Sequence, residues 1–211
     1  MRLHKFDDDP RFFRLNPSLH PIEKHKMNKK LKFSIVATWI LLTRSFDAFC
    51  TYSLTPDLSN EANPLVSIGG ITSWTTLLVI LGALTVYSLY AYAISTFKPT
   101  ELLPEGQEMS FRSFVGYLYL GKEASWTVTL YRLPNDLVRF NNYMGQVLTR
   151  ALVFAGAVST IMWVLINNSE LYRRIHNPAL IYTILIVGSI AIIYSWNRSM
   201  YVRYQSLQSN N

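Results

Sequence analysis

The sequence predicts an all-helical membrane protein with four transmembrane helices, and three observations carry that prediction. Apolar residues concentrate in four runs, about 33–54, 72–97, 151–166 and 179–196, with polar or charged sequence between them. A hydrocarbon core about 30 Å thick needs about 17–25 apolar residues at 1.5 Å per residue, and the runs approach or meet that length. The second, third and fourth runs lack charged residues altogether, whereas a helix of a soluble bundle shows polar positions at every turn. Positive charge is also uneven: nine of the twenty Lys and Arg residues precede Phe33. The mean hydropathy of the 211-residue chain is only +0.15, so the segregation decides, not the average.

Residues 1–32 form a basic N-terminal tail, interrupted by Pro10, Pro17 and Pro21 and without a sustained period. A basic arm beside a transmembrane helix orients the chain and attracts anionic lipid, so the tail is expected in the cytoplasm. The leader before the first apolar run is long and polar, and no small-residue cleavage site follows that run, which argues against a signal peptide. Net charge is +7, yet no nucleic-acid-binding module accompanies the basic tail, and nucleic-acid binding is rejected. Cys50 is the only cysteine, so there is no intrachain disulfide.

The first helix, about 33–54, begins beside Lys29, Lys30 and Lys32, and no Lys or Arg occurs between Thr55 and Ile71. The positive-inside rule therefore places the N terminus inside and the 55–70 loop outside. Within that loop Asn63-Pro64 has the form of an N-cap followed by a first helical residue. A continuous or slightly kinked second helix is expected through Gly69-Gly70 to residue 97. The connection 98–149 carries Lys98, Arg112, Lys122, Arg132, Arg139 and Arg150, as a cytoplasmic loop should. Inside it, residues 110–120 are too short to span and too apolar to float, which fits an interfacial or re-entrant segment. Residues 126–133 alternate loosely and read as extended chain. From Asp136, the residues Leu137, Phe140, Met144, Leu148 and Ala151 form a stripe at helical spacing that leads into the third helix. The fourth helix starts at Asn177-Pro178, the same device as Asn63-Pro64, and a cytoplasmic tail follows over 198–211. Four crossings give an N-in/C-in topology for the transmembrane domain, 33–197.

Arg44 and Asp47 are the only ionisable residues well inside any of these runs. Charges at membrane depth are costly and mark functional sites. Asp47 lies fifteen residues past Lys32, about 22 Å along the helix and in its outer half. Arg44, Asp47 and Thr51 share one helix face, so Arg44 and Asp47 can neutralise one another. With Asp57, Glu61 and Asn63 of the external loop they form the candidate site. Two roles fit it. One is a structural clasp, in which Arg44 and Asp47 pair while Asp57, Glu61 and Asn63 dock the loop. The other is an outward-facing polar pocket for a small polar ligand or a hard cation, which oxygen donors suit. The sequence leans towards the clasp, and hence towards a non-enzymatic accessory or assembly component. Binding or transport through the pocket is the alternative.

Neither the metalloprotease His-Glu pattern, nor Gly-x-Ser-x-Gly, nor a P-loop occurs. An enzyme is disfavoured and no cofactor or metal is called for. Expected partners are the bilayer and its anionic lipids, with a membrane-protein partner or self-association left open.

The pattern Asp47-x-x-x-Thr51 followed by Glu61-x-Asn63-Pro64 resembles the signature of an uncharacterised family of small bacterial multi-pass membrane proteins. The resemblance covers residues 33–97. It implies a bacterial cytoplasmic-membrane protein in which the polar motif matters, and it implies no activity.

Overall fold

The computed structural model describes residues 28–58, 61–104 and 108–209. The basic tail expected over residues 1–32 therefore lies outside the described residues up to residue 27. Among the described residues the regular structure is entirely helical. Four helices are long and apolar enough to cross a membrane: α1 (Lys29–Leu54), α3 (Trp74–Phe97), α5 (Leu137–Asn168) and α7 (Pro178–Gln208). Three shorter helices join them: α2 (Pro64–Ser67), α4 (Phe111–Leu120) and α6 (Glu170–Ile175). The four spans run alternately up and down. One end of the bundle, here the hairpin end, carries the α1–α3 and α5–α7 connections; the other, the terminal end, carries the starts of α1 and α5. The chain is an all-α, four-span membrane protein.

Each helix begins at a side chain that supplies an acceptor for the free amides of a first turn. Asn28 Oδ1 accepts from the Lys30 amide at the start of α1, and Asn63 and Asn177 do the same for the proline-led α2 and α7. Asp136 accepts from the amides of both Val138 and Arg139 and starts α5. Ser110 caps α4, which ends at Gly121 with φ +75°, a left-handed conformation that glycine adopts without strain.

The expected continuity from Pro64 to residue 97 fails at Gly69-Gly70. After α2 the amides of Gly69, Gly70 and Ile71 turn back to the carbonyls of Pro64, Val66 and Leu65, and Gly70 sits at φ +67°. A helix cannot pass through that backbone. The chain restarts at Trp74 behind the cap of Ser73.

The third span is longer than its apolar run. It is one helix of 32 residues from Leu137, in keeping with the stripe read from Asp136, so the last quarter of the expected 98–149 loop is helical. The polar residues in this extension are satisfied within the bundle. Asn142, almost fully buried, donates to the Lys98 carbonyl and Thr100 hydroxyl and accepts from the Thr100 amide. Gln146 donates to Ser95 at 3.0 Å, and Arg150 donates to Gln146 while lying 5.1 Å from the centre of the Trp196 ring. The fourth span likewise runs on as helix through 198–208.

α5 is the centre of the bundle: α1, α3, α4 and α7 all pack against it. Small residues set the approach distances. A Cβ at Gly145 would fall 2.2 Å from the Ala91 carbonyl oxygen of α3, and one at Gly156 would fall 2.4 Å from the Thr43 hydroxyl of α1. Close backbone approach of this kind stands in for the hydrophobic drive that lipid cannot supply. At the terminal end, α4 packs against α5 and the last third of α7, with Phe114 and Leu118 fully buried. Phe114 stacks on Tyr204 at 5.2 Å, and Tyr201 donates to the Met109 carbonyl at 2.8 Å. The segment expected at 110–120 is thus a helix with one face sunk in protein. Residues 126–130 form a turn of 3₁₀ helix, not the extended chain expected.

Candidate functional site

Arg44 and Asp47 lie one turn apart on α1, and their side chains meet, with Arg44 Nη1 3.6 Å from Asp47 Oδ2. The other carboxylate oxygen is held from α5. Asp47 Oδ1 accepts from the hydroxyl of Ser159 and, at 2.8 Å, from Trp163 Nε1. These donors sit four residues apart on α5, on the face that Gly156 brings against Thr43. Ionised acceptors make stronger hydrogen bonds than neutral ones, roughly 1.5–3 kcal/mol each, so α1 is firmly keyed to α5 here. Arg44 is less well served. Its Nε and Nη2 are buried without a hydrogen-bond partner.

Thr51 completes the expected face, but its hydroxyl donates back to the Asp47 backbone carbonyl at 2.8 Å and leaves the carboxylate alone. Glu61 closes the α1–α2 loop. Its Oε1 accepts from the Asn63 amide at 2.9 Å and its Oε2 from the Thr55 hydroxyl at 3.0 Å. Asn63 spends its side chain on the Leu65 amide, the capping role read from the sequence. Trp74 Nε1 donates to the Thr55 carbonyl and ties the loop to the start of α3. Each of the two carboxylates is thus engaged through both oxygens.

A cavity of about 1070 Å³ lies alongside the clasp and is lined by residues of α1, α3, α5 and α7. Arg44, Asp47, Thr51, Glu61 and Asn63 all line it, so five of the six candidate residues share one space. Asp57 does not. It sits in the exposed turn after Thr55, outside the lining. The structure adds Ser159, Trp163, Arg173, His176 and Tyr182, none of which stood out in the sequence. Tyr182, near the start of α7, faces the same space as Glu61. Serine and tryptophan within an apolar run carry no charge, and only the fold brings them to Asp47, over 112 and 116 residues of chain. His176, in the connection before α7, has a buried and unpartnered Nδ1, and burial pushes its imidazole below the ordinary value.

The wall changes character along the bundle. Charged groups gather at the hairpin end, and the far part is lined mainly by Leu81, Leu84, Leu148, Ala151 and Leu152, with Thr85 and Ser88 among them. No group of three or more Asp, Glu, His or Cys side chains able to hold a metal ion occurs among the described residues. Comparisons with models of protein families, with curated proteins and with solved structures return no match for this chain.

Proposed function

We propose that this protein is a membrane-embedded binding protein that takes a ligand with an apolar body into the cavity beside Asp47. The cavity carries the reading. Its volume of about 1070 Å³ slightly exceeds the roughly 300–1,000 Å³ usual for small-molecule sites, and its wall is mainly apolar with a few convergent polar groups. A purely structural clasp needs Arg44, Asp47 and their donors but no space beside them. Transport would be one use of such binding. The charge asymmetry of the sequence supports N-in/C-in insertion, with the hairpin end outside, and the resemblance at residues 47–64 supports a bacterial cytoplasmic membrane. The accessory or assembly role has its own support in the Asp47 bonds to Ser159 and Trp163, which link α1 to α5.

Two measurements test this reading. A dibrominated C18 alcohol should quench Trp74 and Trp163 saturably in the purified full chain, since both indoles line the cavity. Gly82 also lines it, and a Cβ there meets nothing within 4 Å, so Gly82→Phe should weaken that quenching at least tenfold without unfolding the protein. Quenching that never saturates, or that ignores Gly82→Phe, would return the site to a clasp. Topology is read separately: a cysteine replacing the exposed Ile68, in a Cys50→Ser background, should react with an impermeant reagent from outside. Labelling only after permeabilisation would invert the proposed insertion.

A further inference from the structure

We infer that the cavity selects an amphiphile with an anionic head, a carboxylate or phosphate, seated at Arg44 with its tail among the leucines. The inference rests on the binding reading above and adds the sign of the charge.

The charged groups on the cavity wall differ in how fully they are partnered. Asp47 accepts from Ser159 and Trp163 through Oδ1 and faces Arg44 through Oδ2. Glu61 accepts from Asn63 and Thr55 through separate oxygens. A cation entering the cavity would compete with donors already on both carboxylates, and no cluster of acids is present to draw it in among the described residues. Arg44 stands in the opposite condition. Its one charged contact is at 3.6 Å, and the N–H groups of Nε and Nη2 are buried and unpaired. The Arg44 side chain is 28% exposed and lines the cavity, and a turn of its guanidinium brings those covered donors to a head group seated there. A planar carboxylate or a phosphate then relieves the cost of the unpaired donors best, gripped through two parallel bonds. The hard-cation ligand considered from sequence would find two carboxylates that already hold donors, and no group of three metal-binding side chains among the described residues.

The shape of the cavity supplies the second half of the inference. Its lining on α5 runs from Leu148 to Asn167, about 28 Å at 1.5 Å per residue. Arg44 pairs in level with the middle of that stretch, since Thr43 meets Gly156. Towards the terminal end of the bundle the wall is mainly apolar, and the hydroxyls of Thr85 and Ser88 on it donate back to the Leu81 and Leu84 carbonyls, which suits a hydrocarbon tail. The sides are not sealed. α7 makes no extended contact with α1 or α3, and the exposed Leu84 and Val86 lie on the rim. A ligand dissolved in the bilayer can enter between helices.

The test is a head-group series on one brominated C18 tail, read by tryptophan quenching in the purified full chain. The wild type should bind the carboxylate about 10–100-fold more tightly than the alcohol or the amine, the worth of one charge-assisted bond. Arg44→Gln should reduce the carboxylate to the level of the alcohol, and Arg44→Lys should restore part of the preference. Saturable quenching that Gly82→Phe abolishes, with alcohol, amine and acid bound alike, would overturn the inference and leave the binding reading standing. No saturable quenching with any head would overturn both. Phosphatidic acid with brominated chains separates the sources: preference for it over the free acid points to a bilayer lipid, the reverse to a free fatty acid. The wild-type series decides the question even where Arg44→Gln fails to assemble.

Discussion

The two ends of this bundle use the same helices to opposite effect. At the terminal end, α5 and α7 are held by aromatic packing: Phe114, Tyr143, Tyr201 and Tyr204 are buried together, and Asn142 and Asn197 are buried among hydrogen-bond partners. At the hairpin end the same two helices flank an open chamber, and the bundle there is joined by the Asp47 carboxylate keyed to α5 and by a small cluster of Cys50, Trp163 and Ile166. The difference is α4. It brings Phe111, Phe114 and Leu118 into the terminal end, whereas α2 and α6 bring no buried residue to the other. Aromatic packing makes one end a fixed base. The absence of a comparable plug leaves room for a ligand at the other.

That contrast can be broken or sharpened by substitution. The largest effect is expected at the base: Phe114→Ala removes a fully buried ring and should cost about 3–5 kcal/mol, read as a lowered unfolding midpoint in detergent. A loss below about 1 kcal/mol would mean the base is not what holds the helices. Next come two glycines with opposite surroundings. Gly145→Leu drives a side chain into the Ala91 carbonyl and should destabilise by about 1–3 kcal/mol or more, while Gly82→Leu, in open space on the cavity wall, should be neutral or gain up to about 1 kcal/mol of helix propensity. Equal losses at both sites would abolish the distinction between packed and open regions. Asp47→Asn falls between them: it keeps an acceptor for Ser159 and Trp163 but leaves Arg44 without its anion, and should lower stability by about 1–3 kcal/mol. An unchanged midpoint would remove the clasp.

The smallest effect is one of pH. Burial holds the folded His176 imidazole below its ordinary value of about 6.5, so the unfolded chain binds the proton first. Its contribution is complete above about pH 6.5 and is lost as the pH falls through the lowered folded value. A small acid-side drop in the midpoint should therefore appear in the wild type and disappear in His176→Gln.

Much of this was legible in the chain. Arg44 and Asp47 face each other because they are three residues apart on one helix, a local relation that spacing alone states. The caps Asn63 and Asn177 were legible for the same reason. What escaped was non-local or carried by weak signals. Gly69-Gly70 looks like ordinary transmembrane glycine until Gly70 is seen at positive φ. The start of α5 was legible in the stripe from Asp136, but its apolar run begins only at residue 151, because Asn142 and Gln146 satisfy their polar groups against other elements and Arg150 against Gln146 and the Trp196 ring.

The sequence by itself therefore determined that this is a four-span helical membrane protein, and that residues 44–63 hold its costly charges, since both follow from local spacing and from the free energy of charge in hydrocarbon. Only the tertiary structure decided which of those charges are satisfied. Ser159 and Trp163 reach Asp47 from a helix more than a hundred residues away, Arg44 keeps unpaired donors, and a chamber lies beside them. Hydrogen-bond satisfaction and empty volume belong to the packing of helices against one another, and no single segment encodes them.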